Sequence, residues 1–554
     1  MSGGPGTLLH EHSPPHIRWT TVNMAEVLPG VLTPLAWSWW RDPCEAGQRQ
    51  AFADTGVLPQ AHVPPPAEPA DRLTGLFHGR LAGNLTFIGS LCDAMPGTSS
   101  QAFEEQIFGR ADPDVPRARS LRRYPFVALS MPLHLLRLPP RLHALRAEVD
   151  TWWRAATDRR PAEPPRVRLR QAQDMLRRAM RLHMLGSLAA QGCYDRVTQL
   201  AARAGRPGLE LTLTTGYGGM EETGVSADLW DVSRDRLDLD RFLRRHGYHG
   251  PNEGQLASRS WREDRRGLDS LVKRYRERDE HDGPRAREAR QIAARRVAEA
   301  ELLAALPRPA RPGARLTLVA ARRYLPLREV GKATFLQAVD AGRAAAREVG
   351  DELARANLLA DREDVFFLTM SEVVAEPTAD LGERAGTRKA QHAEYLGRQL
   401  PERWVGMPEP VIAGRTQDPP SDRAGAEDPA GAENRAGAAN RAGAPDRGDG
   451  VVGVAVSPGV VEGRARVVHD PNEIDDFEPD DILVCETTDP SWVLLFQIAG
   501  AAVIDVGGAM SHGAIVAREL GLPCVINTRT GTRTIPDHAR IRVDGTTGHV
   551  DVLD

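Results

Sequence analysis

Over the first three quarters of the chain, apolar residues recur three and four positions apart. PPRLHALRAEVDTWWRAA (139–156), LRQAQDMLRRAMRLHMLGSLAAQ (169–191) and KATFLQAVDAGRAAAREVGDELARANLL (332–359) keep this spacing for many turns, the period of helices with one buried face. They predict a large, mostly α-helical domain over residues 17–412, after a disordered tail at 1–16. The period then changes. VGVAV (452–456), RARVVH (464–469), DILVC (481–485), AAVID (501–505), PCVIN (523–527), RIRVD (540–544) and HVDVL (549–553) are short β-rich runs cut by Gly, Pro and Asp, with helical segments near 491–499 and 512–520 between them. Residues 451–554 therefore read as a small α/β domain, and the chain as multidomain.

Between these regions, residues 413–450 repeat an R-A-G-A unit among Asp, Glu, Asn and Pro, with almost nothing to anchor a core. Such a stretch is expected to be a disordered linker spanning roughly 30–35 Å on average. It permits large relative movement, though it also suits a passive spacer.

Charge excludes one broad class. With 71 basic and 75 acidic residues, a net of -4, the chain is not built to embrace nucleic acid electrostatically. The arginine-rich stretch Arg259–Arg296 alternates with acids and reads as a solvated helical face. Lysines stand at Lys273, Lys332 and Lys389 alone, so 71 − 3 = 68 basic residues are arginines. Five scattered cysteines without a C-x-x-C pair suggest a reducing compartment and offer no thiolate metal site. The opening residues lack a signal-peptide pattern and no apolar run reaches 18 residues, so a cytoplasmic protein with no membrane contact is expected.

The segment AAVIDVGGAMSHGAIVARELGLPCVIN (501–527) carries the sharpest chemistry. A buried strand ends at Gly507 and Gly508, where the absence of Cβ lets backbone approach a ligand. Ser511 is placed to cap a helix that Gly521 and Pro523 stop. His512 then falls at about the first helical position, where the positive helix end keeps the imidazole neutral and nucleophilic. Free backbone N–H groups at the same point suit an arriving phosphate. A nucleophilic nitrogen beside an anion site is what a phosphohistidine carrier needs; the alternative is that His512 only caps or packs.

The run GGAMSHGAIVARELGLPCV resembles the phosphohistidine signature of the phosphoenolpyruvate-utilising enzyme family, and GVAVSPGVVEGRARVV, ETTDPSWVLLF and VDGTTGHVDVL look like the rest of its swivelling domain. The resemblance implies a fold in which a large helical domain is followed by a small α/β swivelling phosphohistidine domain. It makes His512 the transiently phosphorylated residue and puts Gly507, Gly508, Ser511, Arg518 and Thr488 on phosphate-binding positions, with Asp489 beside Thr488 in the T-D-P element. Arg518 suits an ion pair equally well. Met510 stands where the dikinases commonly have Thr, and Gly513 where they often have Ala or Ser.

Upstream, IRWTTVNMAEVLPGVLTPLAWSWW (17–40), FLRRHGYHGPNEGQLASRSWRED (242–264), RRYLPLREVGKATF (322–335) and DREDVFFLTMSEV (361–373) resemble, in order, the substrate-binding region of the rifampin phosphotransferases and phosphoenolpyruvate-synthase-like enzymes. By that resemblance Asn23, Glu26, His249, Glu253, Arg323 and Arg328 are candidates for a substrate or phosphate cleft. Their competing roles are helix capping, idle exposure and local ion pairs. Trp37, Trp39 and Trp40 suit either a pocket wall or a core.

In this family an ATP-grasp domain charges the histidine. No Gly-rich phosphate loop carrying a lysine occurs here, only 16 residues precede the match, and the chain ends after the swivelling domain. The expectation is a phosphotransfer component of a dikinase-type system, in which a separate ATP-grasp protein supplies the phosphoryl group from ATP with Mg²⁺ and His512 passes it to a small-molecule acceptor. The chain alone is expected to bind no cofactor and no metal. The alternatives are a catalytically silent binding or regulatory relative, such as a drug-sequestering protein, and a self-sufficient rifampin-type phosphotransferase.

Overall fold

The computed structural model describes residues 8–22, 24–96, 98–108, 123–218, 221–412, 450–469, 477–488, 492–508 and 511–553. The linker expected at 413–450 thus lies outside the described residues, apart from its last. The protein is mostly helical, with a larger sheet toward the carboxy terminus. Nine helices matter below: α1 (Pro34–Asp54), α2 (Tyr124–Ala156), α3 (Pro165–Arg203), α4 (Glu221–Ser233), α5 (Leu239–His246), α6 (Arg266–Arg276), α7 (Pro284–Ala305), α8 (Arg311–Tyr324) and α9 (Leu327–Arg355).

Local signals account for several of these elements. Thr33 caps α1 by accepting the Ala36 N–H, with Pro34 at the first helical position, where a missing donor costs nothing. Asp238 caps α5 by accepting from Asp240 and Arg241. α9 lies at the centre, with Ala338, Val339, Ala341, Ala345 and Val349 fully buried, and α3 and α1 pack beside it in one apolar cluster. Four tryptophans, Trp37, Trp39, Trp40 and Trp153, sit in this core, and three of their indoles find an acceptor: Trp39 the Leu169 carbonyl at 3.3 Å, Trp40 that of Gly254 at 3.0 Å, and Trp153 the Asp340 carboxylate at 2.8 Å. Trp37, Trp39 and Trp40 therefore belong to the core cluster, the second of their two expected roles.

The amino-terminal segment departs from expectation. From residue 8 it is packed, because Leu9 is fully buried and Glu11 behaves as an extra strand edge, its N–H donating to the Leu76 carbonyl and its carboxylate accepting the Leu76 N–H. The neighbouring four-stranded sheet has the order β2-β3-β1-β4, formed by β1 (Arg18–Thr20), β2 (Thr74–Phe77), β3 (Arg80–Asn84) and β4 (Arg403–Val405).

Eight strands build the carboxy-terminal sheet: β5 (Val451–Val452), β6 (Val454–Ser457), β7 (Val460–Val467), β8 (Ile482–Cys485), β9 (Ala501–Ile504), β10 (Cys524–Ile526), β11 (Arg540–Asp544) and β12 (His549–Val552). Their order is β5-β12-β11-β7-β8-β9-β10-β6. The central four run parallel, with Ile482 opposite Ala465, Val484 opposite Val503 and Val503 opposite Val525, and the outer strands are antiparallel. Parallel strands covered on both faces read as continuous apolar runs, and ILVC and AAVI are buried throughout. Among the described residues no helix is long and apolar enough to cross a membrane.

Candidate functional site

The helix α10 (His512–Leu520) follows β9 and opens at His512. Its start is fixed from both sides. The Ser511 hydroxyl accepts the Ala514 N–H, the Ser511 N–H donates to the Gly508 carbonyl at 2.8 Å, and Gly507 takes φ +152°, which favours glycine. At the far end Gly521 adopts φ 63° and returns its N–H to the last turn. Gly513 has a reason of its own: a Cβ there would stand 2.6 Å from Ile504 Cδ1 and 2.7 Å from Thr488 Oγ1. Buried Thr488 thus packs on the first turn of the helix that His512 begins. The His512 side chain, Asn23, the Glu26 side chain, Asp489 and Met510 lie outside the described residues.

Below this loop the buried Asp505 ties the end of β9 down. It accepts from the Thr528 hydroxyl at 2.7 Å, from the Gly531 and Thr532 N–H groups and from the Thr532 hydroxyl. The Val506 N–H donates to the Glu486 carbonyl at 2.8 Å. The Gly-Gly loop therefore starts from a rigid base.

α10 lies against the helical region. The Gly216 N–H donates to Glu519 at 3.0 Å, the Tyr275 hydroxyl to the Leu494 carbonyl at 3.2 Å, and Arg278 pairs with Asp480 at 2.8 Å. One apolar cluster unites Val225, Phe242 and Trp261 with Leu494, Ala514 and Val516. Between α10, α3, α9 and the loop before α4 opens a small cleft, lined among others by Tyr194, Tyr217, Arg328, Glu329, Arg518 and Glu519. Arg518 is buried, its guanidinium over the Tyr194 ring at 6.0 Å. Burial lowers its pKa, and the charge of Arg328 works in the same direction. Two guanidinium groups face this small space together with the carboxyls of Glu329 and Glu519, and Arg328 lies 3.9 Å from Glu329. Burial likewise pushes the Glu519 carboxyl up to about 7.

A second group of polar side chains stands beside the same end of α9. His249 Nδ1 lies 2.7 Å from Glu253 Oε2, and both side chains are buried. The neighbouring Tyr248 hydroxyl donates to Glu221 at 2.6 Å, and Arg146 reaches the same carboxylate at 2.8 Å. Arg343 of α9 is fully buried and donates to the Glu253 and Gln255 carbonyls at 2.8 and 3.0 Å, so the core helix positions the loop carrying Glu253. Burial lowers the His249 pKa to about 3 and raises that of Glu253 to about 8. Lys332 and Glu329 of α9 act electrostatically on Glu253, and Glu329 also lines the cleft.

Of the residues singled out from the sequence, the structure gathers Arg518 and Arg328 at the cleft, and Gly507, Gly508, Ser511 and Thr488 around the start of α10. His249 and Glu253 form the adjoining buried pair. Arg323 is not part of this group: it is exposed on α8, donates to the Leu136 carbonyl at 3.3 Å and lies over its neighbour Tyr324, because its position on the helix turns it toward α2. Sequence reading missed Glu329 and Lys332, although both stand in the stretch RRYLPLREVGKATF. It also missed Tyr194 and Tyr217, whose approach depends on how α3 and the loop before α4 meet α10.

Comparison with known proteins defines the class first. Residues 477–548 match the mobile domain of PEP-utilising enzymes, and residues 235–329 match the rifampicin phosphotransferase fourth domain. The resemblance to the phosphoenolpyruvate-utilising family is therefore shown, on those two segments.

The particular relatives follow from this. The chain is 35% identical over 236 residues to a rifampicin phosphotransferase of Streptomyces sviceus, covering 42% of this chain and 24% of that protein. It is 34% identical over 261 residues to an uncharacterised protein of Mycobacterium bovis, covering 46% and 27%. It is 35% identical over 217 residues to the uncharacterised phosphotransferase YvkC of Bacillus subtilis, covering 37% and 23%. The aligned part spans about a quarter of the length of these relatives.

Proposed function

We propose that this chain is a phosphotransferase component in which His512 carries a phosphoryl group to a small-molecule acceptor held at the cleft beside α10. The observation that carries the reading is the placement of a capped helix start at His512 on an α/β unit whose α10 packs at a cleft flanked by Arg518 and Arg328. Transfer from phosphohistidine needs in-line positioning and charge stabilisation more than elaborate protein chemistry. Arg518 and Arg328 supply the positive charge, and the Gly507–Gly508 loop with the amino end of α10 supplies backbone donors. Relatives named rifampicin phosphotransferase support an organic hydroxyl compound as acceptor.

Charging is assigned to an ATP-grasp partner that brings ATP and Mg²⁺. In support, the three lysines all sit on helices rather than in a phosphate-binding loop, and Lys389 pairs with Asp364 at 2.8 Å. The test uses ATP labelled at the β-phosphate, Mg²⁺, the full chain and the ATP-grasp protein encoded nearest its gene. Acid-labile label on the wild type and none on His512→Ala is the expected outcome. Label without the partner would make the chain self-sufficient, and no label under either condition would mark a silent binding relative.

A further inference from the structure

His249 and Glu253 are held as a pair, yet each keeps one buried polar atom without a hydrogen-bond partner, His249 Nε2 and Glu253 Oε1. An imidazole whose Nδ1 is fixed by a carboxylate and whose Nε2 is left open is oriented as a proton acceptor. Its surroundings lead toward the start of α10. The ring lies 5.6 Å from Trp261, and Trp261 shares an apolar cluster with Ala514, in the first turn of α10. Lys332 of α9 acts on both members of the pair, and Glu329 of the cleft wall acts on Glu253.

Resting on the reading of His512 as phosphoryl carrier, we propose that His249 Nε2 takes the proton of an alcohol or phenol acceptor as that oxygen displaces His512 from phosphorus. The bond between phosphorus and the His512 nitrogen breaks and a bond from phosphorus to the acceptor oxygen forms. The hydroxyl proton goes to His249 Nε2, the electron pair of the broken bond stays on the His512 ring, and Glu253 holds the Nδ1 proton of the resulting imidazolium. An acceptor already ionised, such as a carboxylate or phosphate, has no use for this base.

The pair also sets a pH dependence. While Glu253 is protonated its hydroxyl donates to Nδ1, so the ring proton sits on Nε2 and blocks it. Ionisation of Glu253, whose pKa burial raises to about 8, moves that proton to Nδ1 and frees Nε2. The charged and titratable groups facing the pair are Arg146 from α2, Glu221 from α4, His246 from α5, Tyr248 against the His249 ring at 4.1 Å, and Glu329, Lys332 and Arg343 from α9. Transfer to a hydroxyl acceptor therefore rises with pH through about 8 and then levels.

The test starts from the full chain phosphorylated with phosphoramidate, with His512→Ala showing which acid-labile phosphate belongs to His512. Loss of that phosphate is followed from pH 6 to 10 in buffer alone and with phenol, benzyl alcohol or rifampicin. The acceptor-dependent rate of the wild type is expected to rise through about pH 8. His249→Gln should slow it by about 100-fold or more, the scale of general base catalysis. Glu253→Gln, whose amide oxygen still accepts from Nδ1, should flatten the profile. Should His249→Gln fail to fold, the wild-type profile and Glu253→Gln still decide. A wild-type rate that does not rise with pH, equal rates in wild type and His249→Gln, or no acceleration by any hydroxyl probe would overturn the proposal while leaving the carrier reading standing. Absence of phosphate at His512 in every chain would overturn both.

Discussion

Glu519 shows how one buried carboxyl links proton uptake to the placing of α10. It accepts the Gly216 N–H at 3.0 Å, and burial raises its pKa from 4.5 to about 7 although that donor and Arg518 pull it down. If α10 leaves the helical region, the carboxyl meets water and returns toward its ordinary value. A pKa raised in the docked form means that docking takes up a proton, so docking is strongest below about 4.5 and weakens as pH climbs to about 7. The slope is about tenfold per pH unit inside that window. Small-angle scattering of the full chain should therefore report a larger radius of gyration at pH 8 than at pH 5.5. Glu519→Gln keeps a neutral side chain in place, and its radius should be the same at both pH values.

At the scale of elements, α10 was legible in advance. The Ser511 cap, the start at His512 and the stop at Gly521 all follow from local chemistry, and the structure places them there. The same holds for the strand runs of the carboxy-terminal sheet, whose apolar residues need only a partner on each side. Tyr194, Tyr217 and Glu329 were hidden, because they enter the cleft through the packing of α3, the loop before α4 and α9 against α10, and helical period alone does not fix that register. Arg323 failed for the reverse reason: a plausible residue type in a matching stretch sits on the wrong side of its helix. Residues 8–16 read as a tail because nothing local reveals that Leu9 and Glu11 meet β2. Gly521 tests the element directly. Alanine there must hold φ 63°, at roughly 1 kcal/mol, and its Cβ would run into Gln291 Nε2 on α7. Thermal unfolding should move by only a few degrees, while the contact with α7 is lost, so that trypsin cuts near Arg518 faster than in the wild type.

For the whole molecule, the proposed carrier role needs contacts weak enough to break. The polar contacts seen here fit that need, a backbone donor to Glu519, a tyrosine hydroxyl to a carbonyl, and the ion pair of Arg278 with Asp480, whose carboxylate is exposed, while the apolar cluster joining Val225, Phe242 and Trp261 to Ala514 and Val516 supplies the larger part of the hold. An ion pair of that kind contributes about 0.2–1 kcal/mol, enough to bias the docked state by a small factor and too little to lock it. Charge exchange separates its docking role from any effect on folding. Arg278→Glu places like charges face to face, and should lower transfer from His512 to an acceptor about two- to fivefold while labelling of His512 by ATP and its partner is unchanged or faster. Adding Asp480→Arg should restore transfer, and 1 M salt should bring all three chains together by screening. Equal transfer in the three chains at low salt would show that this face does not hold the carrier during delivery; a parallel loss of label and transfer in Arg278→Glu would place the ion pair in charging instead.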